Sequence, residues 1–352
     1  MSAKSFFAKK NVVISAKRYG IDALSAMAQG LFASLLIGTI LCTIGDLSGV
    51  EFFNEAGGYA KAVAGPAMAV AIAFALNAPS LVLFSMLAVG QAANVLGGAG
   101  GPLAVLIIAI FATECGKLVS GETKIDILVT PAVTILVGVF LSALLAPSIG
   151  TLALDFGNLI KIATELHPFF MGILVSVLVG IALTLPISSA AICAAFTLTG
   201  LAGGAAVAGC CAQMVGFAVI SFKENRWGGL ISQGLGTSML QMGNIVKNPR
   251  IWIPATLASA ITGPIATCIF HLEMNGPAIS SGMGTCGLVG QIGVYTGWVS
   301  DVMNGTKAAI TVFDWAGLIL ICFVLPAILS FIFAQILRKI GWIKDGDMKL
   351  DL

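Results

Sequence analysis

Apolar runs of near-bilayer length alternate with short polar stretches along most of the chain. A membrane helix needs about twenty mainly apolar residues, and such runs occupy roughly 22–45, 60–78, 102–116, 128–147, 169–186, 201–222, 251–270 and 311–337. Shorter or glycine-rich apolar pieces near 80–96, 187–199, 230–246 and 277–297 predict half-helices or re-entrant hairpins. Over 155–166 the pattern changes. Phe156, Leu159, Ile160 and Ala163 share one helical face, with Asn158, Lys161 and Glu165 opposite. That period predicts an interfacial amphipathic helix. The expected organisation is a basic lead over 1–20, a membrane part over 21–150 and an interfacial linker over 151–168. A second membrane part over 169–340 and a tail over 341–352 complete it.

Three apolar segments break at a polar residue two positions before a proline: Asn77-Ala78-Pro79, Thr184-Leu185-Pro186 and Asn275-Gly276-Pro277. Proline removes a backbone donor and clashes with the preceding turn, so each helix is expected to stop there. The first and third breaks are followed by Val89-Gly90-Gln91 and Val289-Gly290-Gln291, which suggests a weak internal repeat. Broken helices in lipid are tolerated where protein or a wet cavity satisfies the freed backbone. They frame the cargo site of many transporters.

Composition adds the solvent. Of 352 residues, 58% are hydrophobic and 10% charged, against about 25% charged in soluble domains. So apolar a chain belongs in lipid. The 42 glycines fit close helix packing. A net charge of +2 with no basic–aromatic face gives no sign of nucleic-acid binding. Lys4, Lys9, Lys10, Lys17 and Arg18 lead the chain, and Arg338, Lys339, Lys344 and Lys349 close it. The positive-inside rule puts both termini in the cytoplasm and favours eight or ten spans. The eight cysteines lie in or beside apolar stretches and read as packing residues. No metal, cofactor or ATP motif stands out, and no acid–base or nucleophile set marks an enzyme.

Ionisable residues within spans usually mark function. Glu273 is the sharpest, set between a long apolar run and the third break, with His271 and Asn275 beside it and Ser280 and Ser281 beyond. Carboxylate, amide and hydroxyl groups converging there suit a small polyhydroxyl solute. His167, Asn77, Gln91, Thr184, Ser188 and Ser189 complete the candidate set. Glu114, one turn from Lys117, is expected to form a local ion pair, and Gln213 and Gln291 are as suited to joining helices as to touching cargo.

The stretches Ala8-Lys9-Lys10-Asn11 through Ser25-Ala26-Met27-Ala28-Gln29-Gly30, His167-Pro168-Phe169-Phe170-Met171-Gly172 and Leu183-Thr184-Leu185-Pro186-Ile187-Ser188-Ser189-Ala190 resemble the membrane-subunit IIC-like proteins of the phosphotransferase system. The nearest branch contains regulators of perfringolysin-type toxin expression. The resemblance implies an all-α polytopic homodimer in a bacterial inner membrane, with about ten transmembrane helices and two re-entrant hairpins. It also implies a carbohydrate-like cargo and separate phosphotransfer subunits, since no phosphotransfer domain of its own is recognised. Sugar-transporting members hold the sugar with a histidine and with a glutamate in a G-I-T-E-P motif. This chain lacks that motif, and Thr262-Gly263-Pro264 is its nearest echo. A transporter of a small polar solute is the leading expectation, and a solute-binding sensor that moves nothing is the alternative.

Overall fold

A computed structural model describes residues 3–350, and these are helical almost throughout, with one isolated β-bridge between Gly200 and Met274. The chain divides into two compact units, the first ending at Ala153 and the second beginning at Leu154.

The first unit comprises α1 (Ala3–Lys9), α2 (Arg18–Ser48), α3 (Glu51–Ala62), α4 (Ala64–Ala75), α5 (Ser80–Gly97), α6 (Gly101–Val119) and most of α7 (Asp126–Thr164). α4 ends at the first predicted break. Asn77 has φ 54°, a left-handed conformation that asparagine tolerates better than most residues. The chain then folds back: a Cβ on Gly65 would lie 2.4 Å from the Gly90 carbonyl oxygen. A second reversal at Gly98–Gly100 places Gly116 against Val82, so α5 and α6 are also an antiparallel hairpin. Both hairpins depend on glycine letting backbones meet where no hydrophobic force draws helices together.

The end of α4 leaves carbonyls without helical partners. The Leu76 oxygen accepts from Lys117 Nζ at 3.0 Å and from Arg18 Nη2 at 2.5 Å. Lys117 is buried, also donates to the Asn11 carbonyl at 2.7 Å, and pairs with Glu114 at 2.9 Å. Tyr19 holds the other Glu114 oxygen at 3.1 Å. The Glu114–Lys117 pair is therefore as anticipated. It belongs to a cationic seal on the first break.

The second unit takes in α8 (Pro168–Thr184), α9 (Ser189–Ala195), α10 (Gly200–Ile220), α11 (Phe222–Ile231), α12 (Met242–Lys247), α13 (Pro249–Ile269), α14 (Val289–Met303) and α15 (Val312–Lys339). α10 and α13 pack on each other, and each packs on both α8 and α15. A Cβ on Gly209 of α10 would lie 1.9 Å from the Ser176 oxygen of α8, and one on Gly263 of α13 would lie 2.0 Å from the Gly172 oxygen. Gln213 joins the same bundle, accepting from Trp252 Nε1 at 2.9 Å and donating to Thr256 at 3.3 Å. Thr262, Gly263 and Pro264 are buried in α13.

The chain is a multi-pass membrane protein. Among the described residues, six helical runs are long and apolar enough to cross a bilayer, or seven if bent α3–α4 is one span. The α5–α6 run is a hairpin, and the shorter apolar α8 adds a further candidate, so the approximate expectation of ten stays consistent with the fold. One local expectation changes. Residues 155–164 do not begin a separate interfacial helix; they are the last turns of the 39-residue α7. At about 1.5 Å per residue α7 is nearly twice the thickness of the hydrocarbon core. Part of it must leave the membrane, which accounts for the polar face over 158–165.

The segment after α15 is fastened to residues 221–250. Asn225 donates to the Met348 carbonyl and accepts from Leu350 N, both at 2.8 Å. Gln241 and Asn244 donate to the Met348 and Lys349 carbonyls at 3.0 and 2.8 Å. Each bond contributes about 0.5–1.5 kcal/mol. An Asn225→Ala/Asn244→Ala chain is expected to be cut by trypsin at Lys344 roughly tenfold faster than the parent. An unchanged cleavage rate would show that the bonds from Asn225 and Asn244 do not hold the segment.

Candidate functional site

The second and third breaks meet. After Pro186, Ser188 caps α9 by accepting from Ala191 N at 3.2 Å, and Ser189 donates to the Gly282 carbonyl at 2.7 Å. Gly282 ends the short 3-10 turn Ala278–Gly282 that follows Pro277. Ser281, in that turn, donates to the Leu198 carbonyl at 2.5 Å. These contacts satisfy backbone groups released by the breaks, which lipid would leave unpaired.

Between α13 and that turn the chain reverses at His271, in a left-handed conformation with φ 46°, and is extended from Leu272. Its Met274 exchanges backbone hydrogen bonds with Gly200, at 2.9 and 3.0 Å. Side chains alternate along an extended chain, and here Leu272 and Met274 are buried while His271, Glu273 and Asn275 are exposed. The apolar pair enters a core with Val207, Cys211, Val294, Trp298 and Ile321. The polar three face the opposite way. Two glycine approaches set their position. Gly204 of α10 sits so close beneath the segment that a Cβ would fall 1.6 Å from the Leu272 oxygen. Gly297 of α14 touches the backbone at Asn275–Gly276. Asp301 lies one turn beyond Gly297, and there its Oδ2 accepts from Asn275 Nδ2 at 2.8 Å.

The same amide nitrogen donates to Glu273 Oε2 at 3.1 Å. One amide thus holds two carboxylates with both its protons, leaving its own oxygen and the remaining carboxylate lone pairs open to a ligand. The cavity above them measures about 450 Å³ and is lined by His271, Glu273, Asn275, Trp298, Asp301, Thr306 and Lys307. Lys307 forms an ion pair with Asp314 at 2.8 Å and lies 5.9 Å from the Trp298 ring centroid. The size falls within the range of about 300–1,000 Å³ usual for small-molecule sites.

Of the sequence candidates, His271, Glu273 and Asn275 line this cavity. Ser189, Ser280 and Ser281 are buried at or beside the contact between the breaks. Thr184 is buried and pairs with Ser238 at 2.8 Å. His167 is exposed and caps α8, its Nδ1 3.5 Å from Phe169 N. Asn77 and Gln91 are exposed residues of the first unit. Gln291 is buried and donates to Cys211 at 3.2 Å. Trp298, Asp301, Thr306 and Lys307 were missed. They lie more than twenty residues beyond Glu273, and the only available signal was an acid near the end of the glycine-spaced helix from Val289 to Met303.

An all-helical polytopic protein with paired helix breaks beside a polar cavity has the general form of a membrane transporter. The family described as Phosphotransferase system, EIIC matches residues 21–350. The chain belongs to that family and is a membrane sugar-transport component. No curated protein and no solved structure matches it.

Proposed function

We propose that the chain carries a small, uncharged carbohydrate and that the cavity over His271, Glu273 and Asn275 is where the sugar sits. The observation that carries this reading is the Asn275 amide bridging Glu273 and Asp301 beneath a cavity of about 450 Å³. Two carboxylates accept hydroxyl protons and disfavour anionic cargo, while Lys307 supplies a donor and Trp298 an apolar wall. In this reading the protein is a homodimer of a bacterial inner membrane with both termini cytoplasmic. Phosphoryl transfer comes from separate soluble subunits, as the family resemblance implies. The basic residues near both ends support the orientation.

Isothermal titration of the purified chain with neutral hexoses, pentoses, disaccharides and sugar acids tests it. Hydrogen bonds to charged groups are worth about 1.5–3 kcal/mol. A neutral sugar is therefore expected to bind, with affinity falling at least tenfold in Glu273→Gln and in Asp301→Asn. Binding that both variants leave intact would move the site elsewhere. Uptake of the bound sugar into proteoliposomes is expected, and binding without uptake would make the chain a sensor.

A further inference from the structure

A second cavity lies where α10 and α15 end. It measures about 440 Å³, and its walls include Phe222, Leu230 and Phe331 together with three cations, Lys223, Arg226 and Arg338. No acidic residue lines it. Arg226 makes no hydrogen bond or ion pair among the described residues. Its backbone, at φ 52° and ψ −149°, breaks the course of α11, in a region that residues with a side chain sparsely populate. Arg338 donates to the Ile220 carbonyl at 2.9 Å and lies 3.8 Å from Glu224, yet its Nε is buried without an acceptor. Lys223 pairs with Asp345 at 2.7 Å, both side chains being more than 60% exposed. Such a surface pair is weak and can give way to another anion.

Depth gives these charges meaning. α10 closes at Ile220 and α15 at Lys339, and the cavity lies beside both ends, the part of a membrane helix that meets the headgroups. Trp227 is exposed at the same end and stacks edge-on against Phe222, ring centroids 5.4 Å apart, as interfacial tryptophans do. Basic pockets between membrane helices hold anionic headgroups. The apolar walls suit an acyl chain and not a polyhydroxyl or free inorganic anion.

We infer that this cavity is a binding site for an anionic phospholipid. Its phosphate is held by Arg226, Lys223 and Arg338, and the start of an acyl chain lies along Phe222, Leu230 and Phe331. The occupied site would brace the Ile220 end of α10, whose other end carries Gly204 beneath the Leu272 carbonyl.

The test is native mass spectrometry of the full chain incubated with equimolar phosphatidylglycerol and phosphatidylcholine. Phosphatidylglycerol is expected to be retained selectively. One cation near the surface is worth about 1 kcal/mol, so Arg226→Gln should lower retention about fivefold, whereas Arg226→Lys should keep most of it. Unchanged melting temperature of both variants shows that the fold is intact. Equal retention of the two lipids, or an Arg226→Gln chain that holds phosphatidylglycerol as the parent does, overturns the proposal. Displacement of the lipid by millimolar inorganic phosphate would also overturn it, making the site one for the free anion.

Discussion

Gly204→Ala is expected to abolish sugar binding while leaving a membrane-inserted protein. The added methyl would fall 1.6 Å from the Leu272 carbonyl oxygen, whereas close carbon–oxygen contacts lie at about 3.3–3.6 Å. The clash involves backbone, so no rotamer change relieves it; the segment from Phe270 to Asn275 must lift by about 1.5–2 Å. Overpacking of this kind costs about 1–3 kcal/mol. Function suffers more, because a binding group must sit within about 0.5 Å of its working place. Lifting the strand separates Asn275 from Asp301 and opens the carboxylate pair. Titration with the sugar bound by the parent should show no measurable heat, with a modest loss in melting temperature. Gly58→Ala is the control: nothing lies within 4 Å of a Cβ there, and alanine in a helix is favoured by about 0.5–1 kcal/mol. Parent-like affinity in Gly204→Ala would refute the close passage of the extended segment over α10.

The same passage marks how far the sequence could be read. A polar residue two positions before proline lies at a helix end at Asn77–Pro79 and Thr184–Pro186, whereas α13 ends at Ile269, ahead of Asn275–Pro277, and runs unbroken through Thr262-Gly263-Pro264. What lay beyond each break was not legible. His271-Leu272-Glu273-Met274-Asn275 alternates polar and apolar residues, a period-2 signal of extended chain. Five residues between long hydrophobic runs are easily read as the frayed end of a helix. Recognised as a strand, the segment would have placed Glu273, His271 and Asn275 on one side and separated them from Ser280 and Ser281.

Distance in sequence hid the rest. Asp301 reaches Asn275 only because Gly297 lets two backbones touch, and which glycines meet cannot be told from one chain. Periodicity over 155–166 reports which face of a helix is polar, not where the helix begins, so the join to the preceding turns of α7 was not legible. Pro131 and Pro147, both inside α7, did not break it. In lipid, neighbouring helices and local adjustments re-satisfy the carbonyls that proline leaves free. Pro264, with Thr262 two positions before it, also lies inside α13, so the polar residue alone does not mark a break.

Lys117→Met is expected to destabilise the first unit by about 3–5 kcal/mol, the cost of stranding a buried charge. Lysine at this depth would normally suggest a place for cargo or protons, but its bonds give it another task. It donates to the Leu76 and Asn11 carbonyls and neutralises Glu114. Methionine keeps the length of the side chain and removes every donor, leaving Glu114 with Tyr19 and Leu76 with Arg18. If the penalty comes from the stranded carboxylate, Glu114→Gln should recover part of it, so Lys117→Met/Glu114→Gln should melt above Lys117→Met. Groups in contact couple by about 0.5–3 kcal/mol, which thermal denaturation in detergent resolves. A double variant no better than Lys117→Met would place the whole cost on the uncapped Leu76 and Asn11 carbonyls. Parent-like melting of the single variant would mean that Arg18 alone seals the break, and Lys117 would then be free for another role.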